Sequence, residues 1–482
     1  MEFVRNHIWQ ILIILNYAIA LSAVVTILLK KVNPTKALSY IIGLLAFPFL
    51  GLIVYYLFGQ EHRKTKIFSR KNVLNQSVVK KIQETLELET KAISEVDDLL
   101  DQKSKLIPLL YNSEKSKLTI NNDVKLIKNG DDKFKLLFKD LKEAKHHIHL
   151  EYFVIKDDII GTELLNILCE KAKEGLKIRI VIDDVGSSIS SKMKRQLKDS
   201  GIEMNPFMPV MFTKFTGQMN YRDHRKITVI DGEIGYLGGI NVSDDYVNAN
   251  NKRYWRDTHL RIVGEAVKPM QILFFTTWDF VSNSELEISK DYFPEHNCKE
   301  NVPLQIAASG PDTDWSNIME AIFVAITNAE DHVYVTTPYF IPNSEIVTAL
   351  QVIARSNKDV KIIIPKKSDS WIAEYATNSY LELLLEAGVE VYRYTKGFIH
   401  AKTMVVDGVF STVGTTNMDY RSFNINFEVN ALIYSKDISH QLTEFFKADL
   451  KDCDQLDLQT WRNRSKRTKL IEAVARLMAP LL

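Results

Sequence analysis

The feature that most limits what this chain can become is a pattern written twice. Residues 220–241 read N-Y-R-D-H-R-K-I-T-V-I-D-G-E-I-G-Y-L-G-G-I-N, setting His224, Lys226 and Asp231 in the order H-x-K-x4-D ahead of Gly238, Gly239 and Asn241. Residues 397–417 read G-F-I-H-A-K-T-M-V-V-D-G-V-F-S-T-V-G-T-T-N and supply His400, Lys402, Asp407, Gly414 and Asn417. In each copy six residues separate the Asp from the later Gly, and Asn stands three beyond that Gly. The histidines are 400 − 224 = 176 residues apart, far beyond a local repeat unit, so the chain carries two half-sites.

Local patterning says what those residues sit on. His400, Lys402 and Met404 alternate with Ala401, Thr403 and Val405, which reads as a strand with His and Lys on one face. Asp-Gly then signals a turn into a second strand, V-F-S-T-V-G, and the first copy does the same through I-T-V-I-D-G and I-G-Y-L-G-G. Such a face suits a phosphate. Lysine brings fixed positive charge, Asn an amide donor, and His a group that changes protonation near neutral pH. One H-x-K-x4-D is a weak motif; two with matching Gly and Asn offsets are not an accident of composition.

The doubled signature resembles that of the phospholipase D superfamily. Further runs resemble the bacterial cardiolipin synthases within it: N-Y-R-D-H-R-K, W-R-D-T-H at 255–259, S-G-P-D at 309–312, T-P-Y-F-I-P at 337–342 and N-M-D-Y-R-S-F at 417–423. The likeness runs over nearly the whole chain. It implies an α/β fold of two duplicated phospholipase D-like lobes related by a pseudo-twofold axis, with both signatures meeting in one site.

The first sixty residues are of other material. Ile8–Leu29 and Ala37–Gln60 contain no charged residue, and between them K-K-V-N-P-T-K makes a polar turn. At 1.5 Å per residue the first run spans about 33 Å, enough for a hydrocarbon core. Apolar sequence continues through the cleavage-like Ala18-Ile19-Ala20, so a transmembrane helical hairpin over 1–60 is expected rather than a signal peptide. Arg5, Arg63, Lys64, Lys66, Arg70 and Lys71 outnumber the three lysines of the turn, which puts the bulk of the protein on the cytoplasmic side.

Beyond it, 61–115 reads as a helical spacer rich in Lys, Glu, Gln and Leu, 116–300 as the first lobe and 301–482 as the second, ending in a basic helix. Helices at 134–144 and 164–175 alternate with strands at 148–155 and 178–184. Helices near 321–329 and 345–355 alternate with strands at 332–340 and 361–365. With 61 basic against 60 acidic residues the net charge is +1, which argues against a nucleic-acid binder. Cys169, Cys298 and Cys453 form neither a disulfide framework nor a metal clamp.

Other clusters carry less. His146, His147 and His149 lack a completing ligand set, so no metal is expected. Asp183-Asp184 ends a strand, where it could hold a cation or face solvent. Arg462, Arg464, Lys466, Arg467 and Lys469, beside Trp461, lead into L-I-E-A-V-A-R-L-M; this segment could lie on anionic lipid or pack on the body.

The resemblance further implies a phosphatidyltransferase without cofactor or metal, using phosphatidylglycerol as donor and acceptor. His224 would attack phosphorus. His400 would protonate the leaving glycerol and then take the acceptor's proton. Lys226, Lys402, Asn241 and Asn417 would hold the phosphate. Asp257 and Glu428, 33 and 28 residues past their motifs' histidines, would orient those histidines. Asp231 and Asp407 complete the two sets, at corners where they brace the turn or the lysine. Hydrolysis, transfer to another alcohol, and a non-catalytic lipid scaffold are the competing readings.

Overall fold

The computed structural model describes residues 7–29, 34–55, 77–85, 105–208, 221–250, 253–282, 286–296 and 298–479. It forms two bodies: an N-terminal helical unit, and a larger unit holding both copies of the signature.

In the N-terminal unit α1 (Ile8–Leu29) is a 22-residue helix without charge. Small residues on one face, Ala20 and Ala23, let it pack with Val24 and Ile27 on Leu44 and Tyr55 of the returning segment. That segment is not the single span expected from its lack of charge. It forms α2 (Pro34–Ala46) and α3 (Pro48–Val54), interrupted at Phe47. Pro48 has no N–H to continue the ladder and its ring crowds the preceding turn, so the helix restarts with Pro at its first position. Among the described residues only α1 is long and apolar enough to cross a membrane. Arg5, Lys30, Lys31, Arg63, Lys64, Lys66, Arg70 and Lys71, on which the orientation reading depends, lie outside the described residues.

The larger unit contains two sheets of one design. The first comprises β1 (Asn122–Lys128), β2 (His147–Tyr152), β3 (Lys177–Asp183), β4 (Glu203–Phe207), β5 (Lys226–Ile230), β6 (Ile234–Gly238) and β7 (Thr258–Gly264), in spatial order β1-β7-β6-β5-β2-β3-β4. The second comprises β8 (Leu304–Ser309), β9 (His332–Thr336), β10 (Asp359–Pro365), β11 (Glu390–Tyr394), β12 (Thr403–Val406), β13 (Phe410–Gly414), β14 (Glu428–Tyr434) and β15 (Cys453–Gln455). Its order is β8-β14-β13-β12-β9-β10-β11-β15. Each strand of the first sheet thus has its counterpart seven labels on, and β15 is an added edge. In both, three strands run parallel through helical crossovers and the motif strand joins them antiparallel.

One apolar core lies between the lobes. Ile227, Val229, Leu237 and Leu260 from the first sheet meet Val405, Val413, Val429 and Ala431 from the second, all buried. Truncating one of the leucines there, such as Leu237→Ala, costs about 2–5 kcal/mol. Part of the segment read as a spacer belongs to the body. The helix Leu106–Glu114 buries Leu106, Ile107 and Leu110 in the second lobe's core, and Thr119 bridges to Leu304. A second helix, Ser77–Thr85, buries Val79; residues 61–76 and 86–104 lie outside the described residues.

Candidate active site

Each signature leaves its own sheet before it reaches the histidine. Instead of one strand through F-I-H-A-K-T-M-V, the chain forms Gly397–Ile399, breaks over His400–Lys402, and resumes as β12. The short piece pairs in parallel with Tyr254–Arg256 of the first lobe. The first copy mirrors this: Asp223 bridges to Phe427 of the second lobe, and β5 begins only at Lys226. The backbone N–H of His224 donates to Phe427 O (2.9 Å), and that of His400 to Arg256 O (2.7 Å). The histidines therefore sit at the seam between the lobes, each tied to the opposite one.

That crossing decides which carboxylate serves which ring. His224 Nδ1 is 2.9 and 3.0 Å from the two oxygens of Glu428, and His400 Nδ1 is 2.7 Å from Asp257 Oδ2. Each orienting acid follows the other histidine's signature in sequence and immediately follows the residue whose carbonyl holds its partner's backbone. With Nδ1 engaged, Nε2 is the nitrogen left for chemistry. Lys226 Nζ and Lys402 Nζ each donate to their own histidine's carbonyl at 2.6 Å.

All four groups are within electrostatic reach of one another. Burial pulls His224 well below 6.5, and the charges of Lys226 and Lys402 add to it. Burial and Lys402 bring His400 down to about 4 against the pull of Asp257. Burial lowers Lys226 to about 7 and Lys402 to about 8, opposed by Glu428 and Asp257. The carboxylates differ. Burial pushes Glu428 up to about 7. For Asp257 the upward push of burial is outweighed by His400 and Lys402, which hold it below the usual range. Two lysines acting on both histidines make a preorganised cradle for an anionic phosphoryl group.

Comparisons with known proteins show the family. The family described as "Cardiolipin synthase, PLD-like domain" matches residues 137–271 and 322–450, and one described as "Phospholipase_D-nuclease N-terminal" matches residues 18–60. The cardiolipin synthase of Geobacillus sp. (strain WCH70) is 37% identical over 100% of this chain and 96% of its own length. That of Oceanobacillus iheyensis is 37% identical over 97% of this chain and 98% of its own. This chain belongs to the cardiolipin synthase family. It is thus a phosphatidyltransferase of the phospholipase D superfamily, with the activity for which the family is named. Among solved structures, the phosphatidylserine synthase of Haemophilus influenzae superposes with a TM-score of 0.62 over 79% of this chain and 100% of its own, at 14% identity, which speaks to the shared fold.

Of the other groups named from the sequence, Asp231 and Asp407 stand at the turns, and Asn241 is engaged elsewhere than expected. Asp231 and Asp407 end β5 and β12 at the side away from the lysines. Both have positive φ (55° and 53°), and with Gly232 and Gly408 they form hairpin turns in which both central residues are left-handed. Asp231 accepts the backbone N–H groups of Lys145, His146 and His147; Asp407 accepts those of Glu330, Asp331 and His332. Spent on the loops entering β2 and β9, these carboxylates brace the sheets and are removed from the reacting centre. Asn241, expected on the phosphate, donates to the Tyr246 hydroxyl at 2.6 Å and accepts from the Val154 N–H at 3.2 Å. Asn417 is buried, and its side chain hydrogen-bonds Asp419.

The histidine cluster at 146–149 forms an internal chain. His147 meets Gln271, Gln271 meets His149, and His149 stacks on Phe274 with ring centres 4.4 Å apart. Asp183 accepts the N–H groups of Val185, Gly186 and Asp223.

Several site residues were absent from the sequence reading. Thr415 donates its hydroxyl to Glu428, and Asn426 links Glu428 (3.3 Å) to Arg421 (3.1 Å). Tyr246, Trp255 and Phe398 surround His400. Thr415 could have been found, because it replaces Gly239 at the matching offset of the repeat.

Proposed function

We propose that the chain transfers a phosphatidyl group from one phosphatidylglycerol to another, giving cardiolipin and glycerol through a phosphatidyl-histidine. His224 Nε2 attacks phosphorus while Nδ1–H is held by Glu428. The bond to the glycerol oxygen breaks, and His400 Nε2–H gives its proton to that oxygen. A second phosphatidylglycerol then offers a hydroxyl. His400 takes its proton, the new P–O bond forms, the P–N bond breaks, and His224 is restored. Lys226 and Lys402 offset the charge on the non-bridging oxygens throughout.

The reading is carried by one observation: two histidines with Nδ1 tied across the lobe seam, both in the field of both lysines. A bound phosphodiester anion adds negative charge beside His400 and raises its proton affinity from the low value of the empty site. The acid is therefore armed when the substrate arrives. Asn241 and Asn417 frame the site through Tyr246 and Asp419. We place α1 across the membrane, with α2 and α3 returning through it as a second span and the lobes on the cytoplasmic side; a donor and acceptor that are both lipids favour such tethering.

The test is incubation of the purified full chain in detergent with phosphatidylglycerol labelled in its terminal glycerol. Labelled cardiolipin with equimolar free glycerol is expected. Phosphatidic acid as the main product would replace transfer by hydrolysis, and no turnover would leave a scaffold.

A further inference from the structure

The basic C-terminal helix is covered on one side only. α4 (Trp371–Glu386) and α5 (Lys466–Leu477) pack together, Ala373 and Ala376 against Ala475 and Ala479 at one end. At the other, Glu382 faces Lys469 (3.4 Å) and Arg462 (3.9 Å). The two helices are antiparallel, so Trp371 lies at the same end as Leu477. The inner face is settled further by the buried Glu472, which accepts from Arg464 at 2.9 Å.

The outer face has no cover among the described residues. Leu470 is 66% exposed, Val474 56% and Leu477 78%, at i, i+4 and i+7 along one stripe, with Met478 beside them. Trp371, 67% exposed, extends the stripe onto α4. Scattered apolar side chains on a surface need no explanation, but an aligned run ending in a tryptophan does. Lys466, Arg467 and Arg476 are exposed around it and form no ion pair among the described residues.

This end of the stripe adjoins the reaction centre. Asp369, two residues before Trp371, accepts the Tyr339 hydroxyl at 2.6 Å, and Tyr339 packs on the alanine cluster that joins the helices. The Asp369 charge also reaches Lys402.

We propose that the outer face of α5, continued by Trp371, docks on the anionic bilayer surface and brings the active site to headgroup level. Apolar side chains enter the interface, the three cations meet anionic headgroups, and a tryptophan sits where amphipathic rings collect. Charge complementarity selects a lipid surface as the occupant. The inference rests on the proposed use of phosphatidylglycerol, an anionic lipid that must enter from that surface.

The test uses the full chain with its three native cysteines replaced and an environment-sensitive fluorophore on Val474→Cys, or on Lys198→Cys as an exposed control in the first lobe. In nanodiscs of phosphatidylcholine with phosphatidylglycerol, the label at 474 should shift to the blue and be quenched by spin-labelled lipid, while that at 198 stays water-like. In phosphatidylcholine alone the shift should shrink. Water-like emission at 474 in both discs would overturn the proposal, as would a shift indifferent to phosphatidylglycerol. A blue shift already present in detergent and rising with protein concentration would assign the face to a second copy instead. Leu470→Glu with Leu477→Glu should lower turnover of bilayer substrate by about tenfold or more, yet leave turnover in mixed micelles within about twofold. Because fluorescence reads docking without turnover, failure of the docking and failure of the proposed reaction are told apart.

Discussion

Replacing Lys226 by methionine should cripple activity and stabilise the fold. Lys226 is fully buried and its amine is lowered from 10.5 to about 7, so keeping it charged costs ~5 kcal/mol relative to the unfolded chain. At pH 7 about half the folded molecules have shed the proton, leaving a cost of ~4 kcal/mol. Methionine keeps the stem but strands the His224 carbonyl that Lys226 Nζ serves at 2.6 Å, a loss of ~1–3 kcal/mol. The net gain is ~1–3 kcal/mol, read as a rise of a few degrees in unfolding temperature. The pH dependence follows from proton counting. Between about pH 7 and pH 10.5 the unfolded chain holds the lysine proton and the folded chain does not, so the parent gains stability as pH rises. The advantage of Lys226→Met is therefore largest below pH 7 and fades toward pH 10. For Lys402→Met, starting from about 8, the burial cost is ~3 kcal/mol and the net gain ~0–2 kcal/mol. Thermal unfolding of the full chain in detergent, followed by tryptophan fluorescence from pH 6 to 9, checks this. A variant less stable than the parent at pH 6, or a gap that widens with pH, would refute the reasoning. Turnover should fall by roughly 10²–10³ in the same protein.

Further expectations concern the crossed carboxylates and the titrating groups. Glu428→Gln, in the second lobe, should slow phosphohistidine formation on His224, in the first, by on the order of 10³-fold or more; trapping the intermediate by rapid quench measures it. In double-mutant cycles on unfolding temperature, His224→Ala should couple to Glu428→Gln and add to Asp257→Asn. The pH profile of kcat/KM should be a narrow bell. Its acid limb appears as Glu428 takes a proton near 7 and the His224 tautomer is lost, its alkaline limb as Lys226 and Lys402 discharge at about 7 and 8. Lys226→Arg should move the alkaline limb upward, to the discharge of Lys402 at about 8. Gly239→Ala would put a Cβ 2.2 Å from Asp257 Oδ1, so turnover should drop by about 10² through a displaced His400.

The duplicated lobes were legible because they rest on short-range signals repeated at matching offsets: the Asp-Gly turns, the alternation of β5 and β12, and the βαβ rhythm. Alternation alone could not show that the strand ahead of His400 belongs to the other lobe, since pairing is settled by tertiary contact. Hence Asp257 and Glu428 could be named from their offsets, while which histidine each contacts was hidden. Asp231 and Asp407 show a different limit. Their fixed spacing from the histidines reflects the length of a strand, and the carboxylates at its far end serve backbone amides. The break at Pro48 was visible in the sequence, yet a count of uncharged residues passes over it.

In the proposed mechanism two signatures so alike do different work, and their surroundings suit them to it unequally. His400 has the rings of Trp255, Tyr246 and Phe398 centred 5.5, 5.7 and 5.9 Å away, and His224 has the one ring of Phe153 at 5.1 Å, all within the roughly 6 Å over which a ring quadrupole attracts a cation. Three rings against one offset part of the burial that lowers His400, which suits it to the proposed role of imidazolium as glycerol departs. His224 instead feels Arg421, whose charge opposes its protonation and whose guanidinium is wired through Asn426 to Glu428, so it keeps the lone pair an attack requires. The division can be tested by leaving group. A phosphodiester releasing p-nitrophenolate needs no proton donor, so His400→Ala should regain the first step, seen as a burst of nitrophenolate with phosphohistidine accumulating on His224. His224→Ala should give no burst with the same substrate. A burst from His224→Ala and none from His400→Ala would exchange the two roles and show that rings and guanidinium do not assign them.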